Sequence, residues 1–461
     1  MNLFRTKTVA QLLDSAKKTQ LTRSLTALDL ILMGVGVIVG TGIFVFTGIG
    51  AAKIAGPALM LSFVLSGIAC AFAALAYAEL ASMVPVSGSA YTYAYSALGE
   101  IVAWIVGWSL VLEYTVGAAA IASGWSSYVV TVIDSLGFTL PKAFTAVPAD
   151  GGLINMPSIL LVLFLTGVLY RGMRESAKFN RVLVIIKLCA VFVFIFCAAP
   201  YVNTANWTPF MPFGWAGVFK GASFAFFAYI GFDMVANSSE ETRNPARDLP
   251  IGILGCLFVV TVLYIIVTGI MTGVLPYPEL DTGAPVAHVL DVLGFKFGAA
   301  VVGTGVVFGL TSVVLVLFYS QTRLFYSMGR DGLLPKVFHK VHPKFHTPHI
   351  ITVLTGIVIC TITGFVKLEV LAELVNIGTL FAFVAASLGV LVLRITQPDL
   401  PRTFRCPAPY IIAPLSVISC GFLMYSLESF TWKCFLAWAV LGMIIYAVYG
   451  YKHSDLNRVD S

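Results

Sequence analysis

The stretch Gly34-Val35-Gly36-Val37-Ile38-Val39-Gly40-Thr41-Gly42-Ile43-Phe44 decides how this chain is read. It is apolar enough for a membrane, and it lies inside a longer apolar run, residues 27–52. Yet glycine costs about 1 kcal/mol per helical position relative to alanine. Glycines crowded into mid-span predict an unwound stretch around Gly40-Thr41-Gly42, and irregular backbone at that depth is tolerated only where protein or a water-filled cavity surrounds it. The competing reading is close helix packing, because Gly36 and Gly40 also form a GxxxG motif.

The break has a polarity. The amides of Thr41, Gly42 and Ile43 open the outer half-helix at the positive end of its dipole and suit a carboxylate. The carbonyls near Val37 and Ile38 close the inner half-helix and suit an ammonium group. A second run, Phe226-Phe227-Ala228-Tyr229-Ile230-Gly231-Phe232-Asp233, predicts a second break at Ile230-Gly231, with more free carbonyls. Donors on one side and acceptors on the other fit the zwitterionic head of an α-amino acid. Gly40 and Gly231 supply the breaks, Asp233 is a candidate to hold the second one, and Phe227 is a candidate aromatic gate.

The rest of the chain supports a membrane setting. Of its 461 residues 59% are hydrophobic and only 11% charged, against roughly a quarter in soluble proteins. Apolar runs of about 20 residues, the length of a helical span, recur at about 27–52, 57–83, 99–131, 155–170, 178–200, 214–238, 250–275, 297–327, 349–365, 369–394, 409–427 and 431–451. Gly56-Pro57, Met156-Pro157, Leu249-Pro250 and Thr347-Pro348 stand just before spans. An all-α membrane protein of twelve transmembrane helices is expected. Of the 28 lysines and arginines, six (Lys53, Lys142, Lys220, Lys296, Lys367 and Lys433) fall on one side, Lys187 falls inside a span, and the remaining 21 share the side of the N-terminus. That bias places both termini in the cytoplasm. Residues 1–26 form a polar, basic cytoplasmic segment, so no cleavable signal peptide is expected. Residues 27–200 and 214–394 overlay as two five-helix sets whose first members are both broken. Five is odd, so the second set inserts upside down, a layout of secondary transporters. Residues 409–451 add helices eleven and twelve, and 452–461 a cytoplasmic tail.

Ionisable groups at membrane depth are expensive and therefore functional candidates. Lys187 lies roughly 9 Å into span five; it either snorkels to the cytoplasmic face or takes up and releases a proton. Glu113 lies near the middle of span three, beyond the reach of snorkelling. It faces a substrate, carries a proton, or pairs with a polar neighbour. Glu79 near the end of span two is as readily interfacial as functional. The run His339, His342, His346 and His349 lacks a cysteine or acidic partner and reads as a solvated loop rather than a metal site. No basic, aromatic-interleaved patch points to nucleic acid. No phosphate-binding glycine loop or Ser-His-Asp set points to an enzyme or an ATP-driven pump, and nothing calls for a cofactor.

Several motifs carry a family resemblance. Val39-Gly40-Thr41-Gly42-Ile43-Phe44 resembles the first-helix signature of the amino acid–polyamine–organocation transporters. Tyr77-Ala78-Glu79-Leu80 with Ser87-Gly88-Ser89-Ala90-Tyr91, and Gly231-Phe232-Asp233 with Glu240-Glu241-Thr242-Arg243-Asn244-Pro245, are similar to its cationic amino acid transporter branch. So are Arg323-Leu324-Phe325-Tyr326-Ser327-Met328 with Asp331-Gly332-Leu333-Leu334, and Ile377-Gly378-Thr379-Leu380 with Val392-Leu393-Arg394. The resemblance spans nearly the whole chain. It implies the LeuT-type fold of two inverted five-helix repeats plus two helices, as in bacterial twelve-helix permeases.

By that resemblance the amides of Thr41 and Gly42 bind a substrate carboxylate, and the carbonyls of Ile38, Phe227 and Ile230 bind its amino group. Lys187 matches the lysine that, in proton-coupled members, fills the place of a sodium site of related sodium-driven transporters. The implied activity is import of L-amino acids across the cytoplasmic membrane by proton-coupled symport. A proton-independent exchanger and a transporter-like sensor are the alternatives, and cationic versus neutral substrates stay open. Light subunits of heteromeric exchangers carry a cysteine between spans three and four. Residues 132–155 contain none, so no disulfide-linked subunit is expected.

Overall fold

The computed structural model describes residues 5–7, 25–84, 89–135, 137–171, 177–345 and 347–456. Most of the N-terminal segment, Ser87, Gly88, Arg174, His346 and the last five residues lie outside the described residues, as do the side chains of Glu240 and Glu241. Among the described residues the chain is helical, with a single parallel bridge between Leu25 and Thr242.

The principal helices are α1 (Ala27–Ile38), α2 (Leu59–Met83), α3 (Glu100–Ser135), α4 (Met156–Arg171), α5 (Ala177–Ala198), α6 (Gly214–Ala225), α7 (Pro245–Val274), α8 (Lys296–Arg330), α9 (His349–Phe365), α10 (Leu368–Thr396), α11 (Pro409–Tyr425) and α12 (Ser429–Ile445). Among the described residues eight helical stretches are long and apolar enough to cross a membrane; α1, α4, α9 and α11 are shorter apolar helices.

The starts of these helices follow local chemistry. Thr26 and Asp29 cap α1 reciprocally: the Asp29 amide donates to Thr26 Oγ1 at 3.4 Å and the Thr26 amide to Asp29 Oδ2 at 3.1 Å. The span expected from Pro250 begins earlier. Asn244 takes the N-cap position, Pro245 supplies the fixed φ of the first turn, and Pro250 is carried inside α7.

The helices pack most closely in two sets, joined where α2 meets α10 and α1 meets α5. In one, α7 lies against α1 and α2, and α2 also supports α6. In the other, α3 lies against α8 and α10, with α9 on α3 and α4, and α5 on α8. The apolar stretch of α3 is 94% buried, that of α12 only 22%, so α3 is central and α12 peripheral. Leu436, Val440 and Ile444, one turn apart on α12, are more than half exposed. In water such a stripe would be a liability, whereas a bilayer solvates it. The other side of α12 is held by Trp438, whose ring stacks on Trp108 at 4.4 Å. Each indole donates to the other's backbone carbonyl, at 2.9 and 2.8 Å.

Candidate functional site

Both expected breaks are present, and they face each other. Helix α1 ends at Ile38; Val39 turns extended (ψ 91°), and a wide π-helical turn runs from Gly42 to Phe46. The amides of Ile43 and Phe44 donate back to the Gly40 carbonyl at 3.2 and 3.3 Å. Ile43 therefore spends its amide within the outer half-helix, and its side chain is buried. In the second run, 3-10 turns over Phe226–Tyr229 and Phe232–Glu241 flank an extended Ile230 (ψ 131°) and Gly231 at φ +121°. Only glycine adopts that φ without strain.

Close approach of the two breaks explains a further glycine. A methyl group at position 42 would stand 2.6 Å from Ala228 Cα, inside any permitted contact. Gly42 thus lets the two irregular segments touch. Tyr264 of α7 bridges them: its hydroxyl lies 2.9 Å from the Ile38 carbonyl and 2.5 Å from the Ala228 carbonyl. Phe227 O accepts the Ile230 amide at 3.3 Å. Two of the three carbonyls expected to hold an amino group thus already meet a donor. Tyr264 carries no signal in the sequence, where it stands in an ordinary apolar run as one of 18 tyrosines.

A cavity lies between the breaks. Ile38, Gly40, Thr41 and Gly42 line it from the first, Phe227 and Ile230 from the second, and Glu113 from α3. The remaining wall is apolar: Gly117 and Ile121 of α3, Val313 and Leu317 of α8, and Val375 of α10. These wall residues carried no signal in the sequence, being aliphatic positions on long apolar helices. Phe227 packs edge-on against Phe46 at 4.6 Å. The space open to a water-sized sphere is about 20 Å³, room for roughly one water, so this is a closed conformation that must widen to admit a solute.

Two polar groups at the cavity lack partners. Thr41 Oγ1 and both carboxyl oxygens of Glu113 are buried without a hydrogen bond among the described residues. The Thr379 hydroxyl lies beside Glu113 but donates to the Val375 carbonyl at 3.0 Å. Unsatisfied buried groups cost about 1–3 kcal/mol each, and their convergence on a cavity points to a ligand. Asp233 is buried beyond the second break, within electrostatic reach of Glu113, and does not line the cavity.

Lys187 lies outside the cavity. It is 1% exposed, so it does not reach the membrane face, and its Nζ donates to the Gly36 carbonyl near the end of α1. Glu79 is structural in its contacts: Arg394 binds both of its oxygens at 2.8 Å, Arg402 Nε lies at 3.3 Å and the Cys406 amide donates at 2.7 Å.

Comparison with known proteins identifies the family. Residues 25–451 match the model of the amino acid permease family. The chain belongs to that family. The permease is 47% identical over 463 residues to the branched-chain amino acid permease BcaP of Bacillus subtilis (strain 168), covering 99% of each chain. It is 45% identical over 459 residues to the methylthioribose transporter of the same organism, covering 99% of the permease and all of that relative. More distantly, it is 36% identical over 388 residues to the vacuolar cationic amino acid transporter 4 of Arabidopsis thaliana, over 82% of the permease and 64% of that protein. The family is one of transporters, so the permease is a multi-pass membrane transporter and not an enzyme.

Proposed function

We propose that the permease imports L-amino acids with apolar side chains across the cell membrane by proton-coupled symport. The carrying observation is the meeting of two broken helices around a buried cavity. Amides of Thr41 and Gly42 receive the carboxylate, and carbonyls of Ile38, Phe227 and Ile230 receive the amino group once Tyr264 gives way. Glu113 and the unpartnered Thr41 hydroxyl complete the polar surface. The aliphatic wall of Gly117, Ile121, Val313, Leu317 and Val375 suits a branched apolar side chain, and the name of the B. subtilis branched-chain permease supports the same choice.

In this reading there are twelve spans, with residues 27–55 and 214–241 each forming one broken span. Residues 27–200 and 214–394 are inverted repeats, both termini are cytoplasmic, and no disulfide-linked subunit is required. Alternating access is a movement of the group containing α1, α2, α6 and α7 against the group containing α3, α8 and α10. Lys187 links them through Gly36. Its ammonium holds the inner half-helix of span one to α5, and loss of the proton weakens that hold. Binding and release of the proton thereby bias inward and outward states.

The test is uptake into proteoliposomes. An inward proton gradient should drive accumulation of labelled leucine, sodium should not, and Lys187→Ala should remove the response to the proton gradient. Counterflow without gradient-driven accumulation would favour an exchanger and overturn symport.

The 45% identity to a methylthioribose transporter favours a second reading, transport of a neutral thioether sugar. A neutral sugar can hydrogen-bond the free amides and carbonyls, but it carries no charges to match the dipole ends of the breaks, as a zwitterion does. Stabilisation of the purified protein by methylthioribose but by none of the twenty amino acids would select it.

A further inference from the structure

We infer that Gly309 of α8 is a positioning residue for Lys187, a role that rests on the reading of Lys187 as the proton-carrying group. The lysine does not reach Gly36 through open space. Its aliphatic stem lies flat across α8 at Gly309, where a side-chain carbon would overlap both Cγ and Cδ of Lys187 and stand 3.4 Å from Cε. The absent side chain at 309 is therefore the channel in which the stem runs, and the stem's path sets where the amine ends.

The neighbouring contacts fix that path. Val184, one turn before Lys187, is pressed against Gly36, which brings α5 and α1 into close contact beside the lysine. Ala190, one turn after, meets Gly305 of α8, where a methyl group would stand 3.2 Å from its Cβ. Gly305 and Gly309 together form a GxxxG pair, but their neighbours differ. Gly305 faces an alanine, and Gly309 faces the lysine. From α1, α7 and α8, no charged or titratable side chain among the described residues faces the amine. Among the described residues its hydrogen-bond partner is the Gly36 carbonyl. A small displacement of the stem thus forfeits the contact with nothing to replace it.

The experiment compares Gly309→Ala, Lys187→Ala, the double variant and Gly305→Ala in proteoliposomes, reading both the pH dependence of gradient-driven leucine uptake and counterflow. Gly309→Ala should lower proton-driven uptake at least tenfold and flatten its pH profile while counterflow persists. The double variant should lose no more than Lys187→Ala alone. Gly305→Ala should keep the wild-type pH profile. Losses that multiply in the double variant, or equal flattening by Gly305→Ala, would reduce Gly309 to helix packing and overturn the inference. If Gly309→Ala does not fold, the Lys187→Ala background decides: folding restored there supports the overlap with the stem, and failure in both backgrounds overturns it. A Lys187→Ala protein with unchanged pH dependence would instead sink the proton reading itself, and this inference with it. A normal Gly309→Ala beside a defective Lys187→Ala would sink this inference alone.

Discussion

The Tyr264 hydroxyl stands 2.9 Å from the Ile38 carbonyl of one broken helix and 2.5 Å from the Ala228 carbonyl of the other. One proton serves two acceptors that the helix breaks leave without helical partners. Tyr264→Phe removes that proton and nothing else of size. Leaving a buried carbonyl without a donor costs about 1–3 kcal/mol, so the variant should melt at a lower temperature in detergent, and the loss should shrink when a saturating amino acid supplies an ammonium in its place. An unchanged melting temperature would mean that the carbonyls find other donors.

Gly42→Ala should abolish transport with a marked loss of stability. The added methyl meets both Cα and Cβ of Ala228. Ala228→Gly in the same chain removes only the second of these contacts, so rescue should be partial. Full rescue, measured as leucine uptake at equal protein in the membrane, would show that the backbones can separate at no cost.

The Glu79 cluster predicts an asymmetry. Glu79 holds Arg394, Arg402 and the Cys406 amide at once, and the Arg402 side chain is 3% exposed. Removing one member of a buried ion pair typically costs about 3–5 kcal/mol, because the partner charge is left uncompensated. Glu79→Ala should therefore destabilise more than Arg394→Ala, whose loss still leaves Arg402 beside Glu79. Thermal unfolding of the two variants decides it, and equal losses would mean that Arg402 contributes little.

Side-chain selection should be set at Gly117. A methyl group there would stand 3.4 Å from Leu317 Cδ1, an ordinary contact, so Gly117→Ala should fold. It also narrows a cavity that has little room. One methylene in an apolar pocket changes discrimination by roughly 10–200-fold, so competition for uptake should shift from leucine and isoleucine toward alanine by about tenfold. An unaltered ranking would place the substrate side chain elsewhere.

What could be read in the sequence follows from what is local. The second break was legible because a glycine stands within an apolar span, and its φ of +121° is one that admits little but glycine. The first was legible because glycines and the dipole ends they expose are both visible in a single run, although the backbone leaves the helix at Val39, just before the glycines of the motif. Glu113 at the cavity was legible from its depth, since a carboxyl at mid-span needs a reason. The Tyr264 bridge was not, because it joins residues 226 and 36 positions apart in the chain and depends on helices meeting in space. The same holds for Lys187. Its burial was a fair expectation, but the Gly36 carbonyl that receives it and the Gly309 channel beneath it exist only after α1, α5 and α8 pack. Glu79, ambiguous in the sequence, became a structural clamp once α10 and the segment after it brought two arginines to it.

The account's central claim is that the two breaks recognise the zwitterionic head of an amino acid. Equilibrium binding of tritiated L-leucine to purified permease, competed with L-leucine, its methyl ester and its deaminated acid, tests that most directly. The ester lacks the anion that Thr41 and Gly42 would receive, and the acid lacks the ammonium that the Ile38, Phe227 and Ile230 carbonyls would receive. The account predicts displacement by L-leucine alone, with both analogues at least a hundredfold weaker. Displacement by either analogue at a concentration close to that of L-leucine, or an absence of L-leucine binding beside stabilisation by methylthioribose, would contradict it.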